Sequence, residues 1–144
     1  MSTPNPNVRG PFHCEVPKVL PASPERVYRA WTDTKEVAGW LANGGKTILQ
    51  PQVDGLFFID MVYEAHTYPH YGRYLAVEPA RRLEFTWMSQ GTDGKESIVT
   101  ITFAPHAEGT MLTLTHRGLP NEKSAESHQG GWTEFVDELA RRLG

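Results

Sequence analysis

Residues 127–144 read SHQGGWTEFVDELARRLG, and the reading of this stretch decides the fold. Trp132, Phe135, Val136, Leu139, Ala140 and Leu143 recur at three- and four-residue spacing, which gathers them on one face of a helix. The opposite face is charged, so the helix must lie with its apolar stripe against something else. Two glycines, Gly130 and Gly131, interrupt its first turns. Each costs a helix interior roughly 1 kcal/mol relative to alanine. Gly131 falls three residues after His128 and four before Phe135, on the flank of the apolar face, so its missing side chain thins the helix there. Two uses are open: the gap is one wall of a ligand pocket, or it lets the backbone approach a bulky strand residue such as Trp87.

What the helix packs on is written upstream. From Lys46 to Gly118 the sequence offers six strand candidates: TILQ, GLFFIDMVY, YGRYLAVEP, RRLEFTW, SIVTITFAP and GTMLTLTHRG. They are separated by the turn-forming stretches PQVDG, AHTYPH, Pro79-Ala80, SQGTDGKE and HAEG. Val99, Ile101 and Phe103 alternate with Thr100 and Thr102, and Leu83, Phe85 and Trp87 alternate with Arg82, Glu84 and Thr86. Such period-two alternation predicts a sheet with one covered face. Short connections make neighbouring strands antiparallel.

Ahead of these strands, Phe12 to Leu20 predicts one more, with Pro17 suited to an edge or a bulge. A helix follows at ASPERVYRAW, capped by Ser23 with Pro24 in its first position, and a second short helix begins at Asp33, where Asp33 and Glu36 have capping-box spacing. Asn43 to Gly45 end it. The expected fold is therefore α+β: a curved, seven-stranded antiparallel sheet around a long C-terminal helix, with two short helices after the first strand.

At 144 residues the chain has the size of one domain, expected over residues 12–144, with residues 1–11 as a proline-rich flexible tail. The charged fraction is 22% and the net charge is -3, with no cluster of basic residues, so nucleic-acid binding and membrane insertion are not expected. Cys14 is the only cysteine, which excludes an intrachain disulfide. The start of the chain lacks the basic and apolar regions of a signal peptide, so a cytoplasmic location is expected.

PASPERVYRAWTD, GRYLAVEPARRLEFTW, ESIVTITFAP, GTMLTLTHRGLP and HQGGWTEFVDELARRL, taken in this order, resemble the bacterial relatives of the heat-shock protein 90 ATPase activator. That family belongs to the START-like, or SRPBCC, helix-grip superfamily, which also includes birch-pollen-allergen-like proteins. The resemblance implies a strongly bent seven-stranded sheet gripping the terminal helix, with a cavity between them. Across the superfamily such cavities take lipids, sterols, polyketides and plant hormones, and only some members are enzymes. The eukaryotic activator also has a large chaperone-binding domain before this region. Eleven residues before Phe12 are too few for one, so chaperone activation is not the expected role.

The candidate cavity residues are Trp40, Phe57, Ile59, Met61, Tyr71, Arg73, Trp87, His116, His128, Gly131, Trp132 and Phe135. Trp31, Trp40, Trp87 and Trp132 each take an apolar phase and are expected to converge between sheet and helix, as core or as the walls of a small-molecule site. His116 is in phase with Leu112 and Leu114, and His128 lies one turn before Trp132. Both are expected to point inward, either hydrogen-bonded within the core or facing a ligand oxygen as acid or base. Arg73 is in phase with Tyr71, Leu75 and Val77, and either holds a ligand carboxylate or sits on the surface.

His66 and His70 have the four-residue spacing of helical metal ligands, but Pro69 disfavours a helix there and no glutamate follows His66. They are expected in a solvated loop beside the cavity mouth, with no metal and no cofactor. No G-x-S-x-G elbow is present. The expected function is binding of a small hydrophobic or aromatic ligand by a monomer or weak homodimer. The alternatives are a cyclase, dehydratase or hydrolase acting on a polyketide-like substrate through His116 or His128, and a stress-related chaperone co-factor.

Overall fold

A computed structural model describes residues 12–144; the expected tail, residues 1–11, lies outside the described residues. Elements run in the order β1 (His13–Leu20), α1 (Pro24–Thr32), α2 (Thr34–Trp40), β2 (Thr47–Leu49), β3 (Leu56–Tyr63), β4 (His66–Glu78), β5 (Arg82–Trp87), β6 (Ser97–His106), β7 (Gly109–Arg117) and α3 (Glu122–Leu143). The strands form one antiparallel sheet in the order β1-β7-β6-β5-β4-β3-β2. This is the helix-grip arrangement, with β1 and β2 as its edges.

Local chemistry accounts for the helix starts. Ser23 accepts from the Arg26 amide at 3.2 Å ahead of Pro24, and Asp33 accepts from the Glu36 amide at 3.0 Å. The second half of the Asp33 box does not form, because the Glu36 carboxylate pairs with Arg26 at 2.8 Å and Arg29 at 3.4 Å. Asn121 caps α3 by accepting from the Ser124 amide at 2.8 Å. Pro17 sits on edge strand β1, where a missing N–H leaves no gap in an interior ladder.

The inward faces of the strands and the stripes of the helices form one core. It contains Val16 of β1, Phe57 and Ile59 of β3, Leu83 and Phe85 of β5, Val99 and Ile101 of β6, Leu112 and Leu114 of β7, and Val136 and Leu139 of α3. On the outer face Glu84 is 7% exposed, yet its carboxylate is held by Thr100 at 2.7 Å and Arg82 at 3.0 Å, with Arg117 at 3.8 Å. A charge this covered requires such partners.

Two expectations about β4 are corrected. The stretch around HTYPH is not a loop, because β3 and β4 turn directly at Glu64 and Ala65, both left-handed with φ of 49° and 66°. Pro69 is tolerated because the side of β4 facing β5 is unpaired there. Tyr71, two residues on, sends its amide in that direction, to the Met88 carbonyl at 2.9 Å. The second correction concerns phase. A bulge between Tyr74 and Ala76 shifts the alternation, so Tyr74 and Val77 face the core while Tyr71 and Arg73 face outward.

Candidate ligand-binding site

A cavity of about 800 Å³ opens between α3, the end of α2, the β3–β4 hairpin and the segment after β5. Its apolar walls are Trp40, Met61, Trp87, Trp132 and Phe135. Caps and strand phase bring these together. The Trp40 indole donates to the Ala30 carbonyl at 2.8 Å, pinning α2 to α1. Trp31 meets Trp40 edge to face at 4.8 Å and Trp132 at a tilt at 6.1 Å, and Trp132 meets Trp87 at 5.0 Å. The four tryptophans thus form one continuous series running from α1 to the sheet.

Gly131 lines this cavity, and a Cβ built on it would have no atom within 4 Å outside its own helix. Close approach to Trp87 is therefore not its use; the gap opens into the cavity. Gly130 is equally unobstructed but lies on the exposed side.

The two candidate histidines part company. His116 is fully buried, and both its nitrogens are committed: Nδ1 accepts from the Trp132 indole at 3.0 Å, and Nε2 donates to Ser97 Oγ at 2.7 Å. Ser97 in turn donates to the Trp87 carbonyl at 2.6 Å. Burial pushes the His116 pKa well below its ordinary 6.5, with His128 and His70 adding to the effect. The ring is a satisfied core group and does not line the cavity.

His128 does line it. Its Nδ1 donates to the Ser124 carbonyl one turn back at 2.8 Å, and burial lowers its pKa. His70 is one of the site residues that the sequence reading missed. It lines the cavity from β4, stacks on Trp87 at 4.6 Å and donates through Nδ1 to the Tyr68 carbonyl at 2.7 Å. Its phase with Gly72 and Tyr74 was the available signal, hidden by Pro69. Burial lowers its pKa, against an opposing effect of the Tyr68 hydrogen bond.

Other candidates fall outside the cavity. Arg73 sits near Asp54 at 3.8 Å and Glu96 at 3.9 Å on the outer face, and Tyr71 packs there on Phe58 at 5.3 Å. Neither reaches a ligand held inside. Phe57 and Ile59 wall a separate void of about 20 Å³. At the rim, Glu138 takes up Arg141 at 2.8 Å and Arg142 at 3.0 Å, and those hydrogen bonds hold its carboxyl below the usual range. Ser89, Gln90 and Gly91, in the loop after β5, also contribute to the wall. Among the described residues no three His, Cys, Asp or Glu side chains gather as a metal site, and no helix is long and apolar enough to cross a membrane.

The family model for activator of Hsp90 ATPase homolog 1-like protein matches residues 21–144. The chain belongs to this family. Solved structures agree. A protein from Mesorhizobium loti is 26% identical over 90% of this chain and 94% of that one, with a TM-score of 0.77. One from Chromobacterium violaceum is 29% identical over 92% and 98%, with a TM-score of 0.76. A protein of the dynemicin biosynthetic locus is 28% identical over 93% of this chain but 48% of its own, with a TM-score of 0.79. No curated protein matches. The fold that this family shares commonly binds hydrophobic ligands.

Proposed function

We propose that the protein binds a small, largely apolar aromatic molecule in the cavity between α3 and the β3–β4 side of the sheet. The observation that carries this reading is the cavity itself: about 800 Å³, walled by three tryptophans, a methionine and a phenylalanine, and widened at Gly131. Such a volume and lining suit a ligand of a few fused rings. Chemistry adds support, because the rim carries Glu134 and Glu138 against Arg141 and Arg142 and so offers no net positive charge to draw in an acid. The likeness to a protein of the dynemicin biosynthetic locus favours a biosynthetic small molecule over a protein partner. Binding without turnover is the simpler reading, because both His116 nitrogens are occupied and any acid–base step would rest on His128 or His70 alone.

The test is thermal stability against a panel of flavonoids, aromatic polyketides, fatty acids and sterols, with tryptophan emission followed in parallel. A ligand at a hundred times its dissociation constant adds about 2.7 kcal/mol. A melting shift with altered emission for the aromatic compounds is the expected result. A flat response across the panel refutes the reading.

A further inference from the structure

We propose that the cavity selects ligands by a hydroxyl group, which donates its proton in a hydrogen bond to Nε2 of His128 at the notch left by Gly91. The proposal rests on the cavity being a binding site and names the chemistry that it reads: a neutral phenol or aromatic alcohol, in preference to its ether or to an aromatic acid.

The tautomer follows from geometry. The Ser124 carbonyl, 2.8 Å from Nδ1, can only accept, so the proton of the neutral ring sits on Nδ1 and the lone pair on Nε2. Both hydrogen bonds found for the ring, to the Ser124 carbonyl and to Ser124 Oγ at 3.4 Å, are at Nδ1. Nε2 is left as an acceptor in a residue that lines the cavity.

The surroundings keep that acceptor reachable. Gly91 faces the ring edge that carries Nε2: a Cβ there would stand 3.2 Å from Cε1 and 3.5 Å from Nε2. A larger side chain would cover the lone pair. One residue fixes both sides of the notch. Ser124 orients the ring through its carbonyl, and its hydroxyl donates to the Gly91 carbonyl at 2.7 Å, tying the segment after β5 to α3. Ser124 is itself held by the Asn121 cap.

The rest of the wall explains why the group should be a hydroxyl. His70 spends its Nδ1 proton on Tyr68, and at the rim the charges of Arg141 and Arg142 are offset by Glu138, which pairs with both, and by Glu134. An aromatic acid would arrive as an anion, with no proton for Nε2 and no net positive charge at the rim to offset its desolvation; an ether would likewise offer the Nε2 lone pair no proton. Burial keeps His128 neutral at pH 7, which preserves the acceptor.

The experiment compares 2-naphthol, 2-methoxynaphthalene and 2-naphthoate by isothermal titration at pH 7.5, with native protein, His128→Phe and Gly91→Val. Native protein is expected to bind 2-naphthol about fivefold or more tighter than the ether, the worth of one net hydrogen bond, with the acid weakest. His128→Phe keeps an aromatic ring without the acceptor and should bring naphthol down to the ether's affinity. Gly91→Val leaves the histidine intact and should reduce the same preference, which covers the case of a His128 variant that fails to fold. Equal binding of naphthol and ether by native protein, or a preference that survives in both folded variants, overturns the proposal while leaving the cavity reading standing. Failure of all three probes to bind overturns both.

Discussion

Replacing the two glycines of α3 separates the stability of the helix from the use of the cavity. Gly130 and Gly131 lie well inside Glu122–Leu143, and a Cβ on either meets no atom within 4 Å outside the helix. With no clash to offset, the helix-propensity term alone applies. Gly130→Ala and Gly131→Ala should each add about 1 kcal/mol. For a domain of this size that raises the melting temperature by about 3 °C each, and the double variant should come close to the sum. Leucine, almost as good a helix former as alanine, then divides the two positions. Gly130→Leu projects into solvent, whereas Gly131→Leu projects into the cavity. Both should melt above native protein, but only Gly131→Leu should lose the melting shift produced by an aromatic ligand. Paired thermal and urea melts with and without 2-naphthol provide the assay. A lower melting temperature for Gly131→Ala would mean that the backbone is pressed against a neighbour at that point, and the account of the glycine would be wrong.

Three further outcomes follow from buried groups. His116→Ala strands the Trp132 indole and the Ser97 hydroxyl in the core and leaves a hole, so it should cost about 3 kcal/mol or more; a urea-melt loss under 1 kcal/mol would contradict the relay. His70, His116 and His128 all have folded-state pKa values below the ordinary 6.5, so the unfolded chain takes up protons first as the pH drops. Stability should be complete above about pH 6.5 and decline below it, and melts from pH 8 to pH 5 should show a shallower decline for His116→Gln. Glu84→Ala removes the acceptor shared by Arg82 and Thr100 on the outer face and should cost about 1–3 kcal/mol, read as a shift in urea midpoint with the slope unchanged.

The parts of the fold legible in the sequence are those set by local chemistry. Period-two alternation marked β5 and β6, and Ser23 and Asp33 marked two helix starts, because side-chain phase and caps need no distant partner. The β3–β4 hairpin was hidden, because its turn uses Glu64 and Ala65 rather than glycine or asparagine, and Pro69 has the mark of a breaker. Its tolerance depends on a missing neighbour strand, which only the assembled sheet reveals. Arg73 went astray at the bulge after Tyr74, since one inserted residue reverses every later phase. Within the site, Trp40, Met61, Trp87, Trp132 and Phe135 were readable from apolar phase. Gly91 was not, because its place beside His128 is fixed by the Ser124 hydroxyl across 33 residues of sequence.

The relay through His116 bears on why the aromatic walls of the cavity hold their positions. Removing packing from a core ordinarily lets the surroundings relax inward and shrink the void. Here two of the cavity walls, Trp132 and Trp87, stand at opposite ends of a hydrogen-bonded series: indole of Trp132 to His116, His116 to Ser97, Ser97 to the carbonyl of Trp87. The series spans α3, β7, β6 and β5, and every bond lies within 3.0 Å. Sliding either wall inward would break a buried hydrogen bond and leave at least one polar atom without a partner, a loss that water cannot repair at a position with no exposed surface. An aliphatic residue at 116 would fill the core as well but would not tie α3 to the sheet at a set spacing. On the proposed function, the histidine that the sequence offers as a candidate acid or base serves a ligand only indirectly, by fixing Trp87 and Trp132, which meet at 5.0 Å, as one rigid corner of the cavity before anything binds, so that less of the binding energy is lost to ordering them.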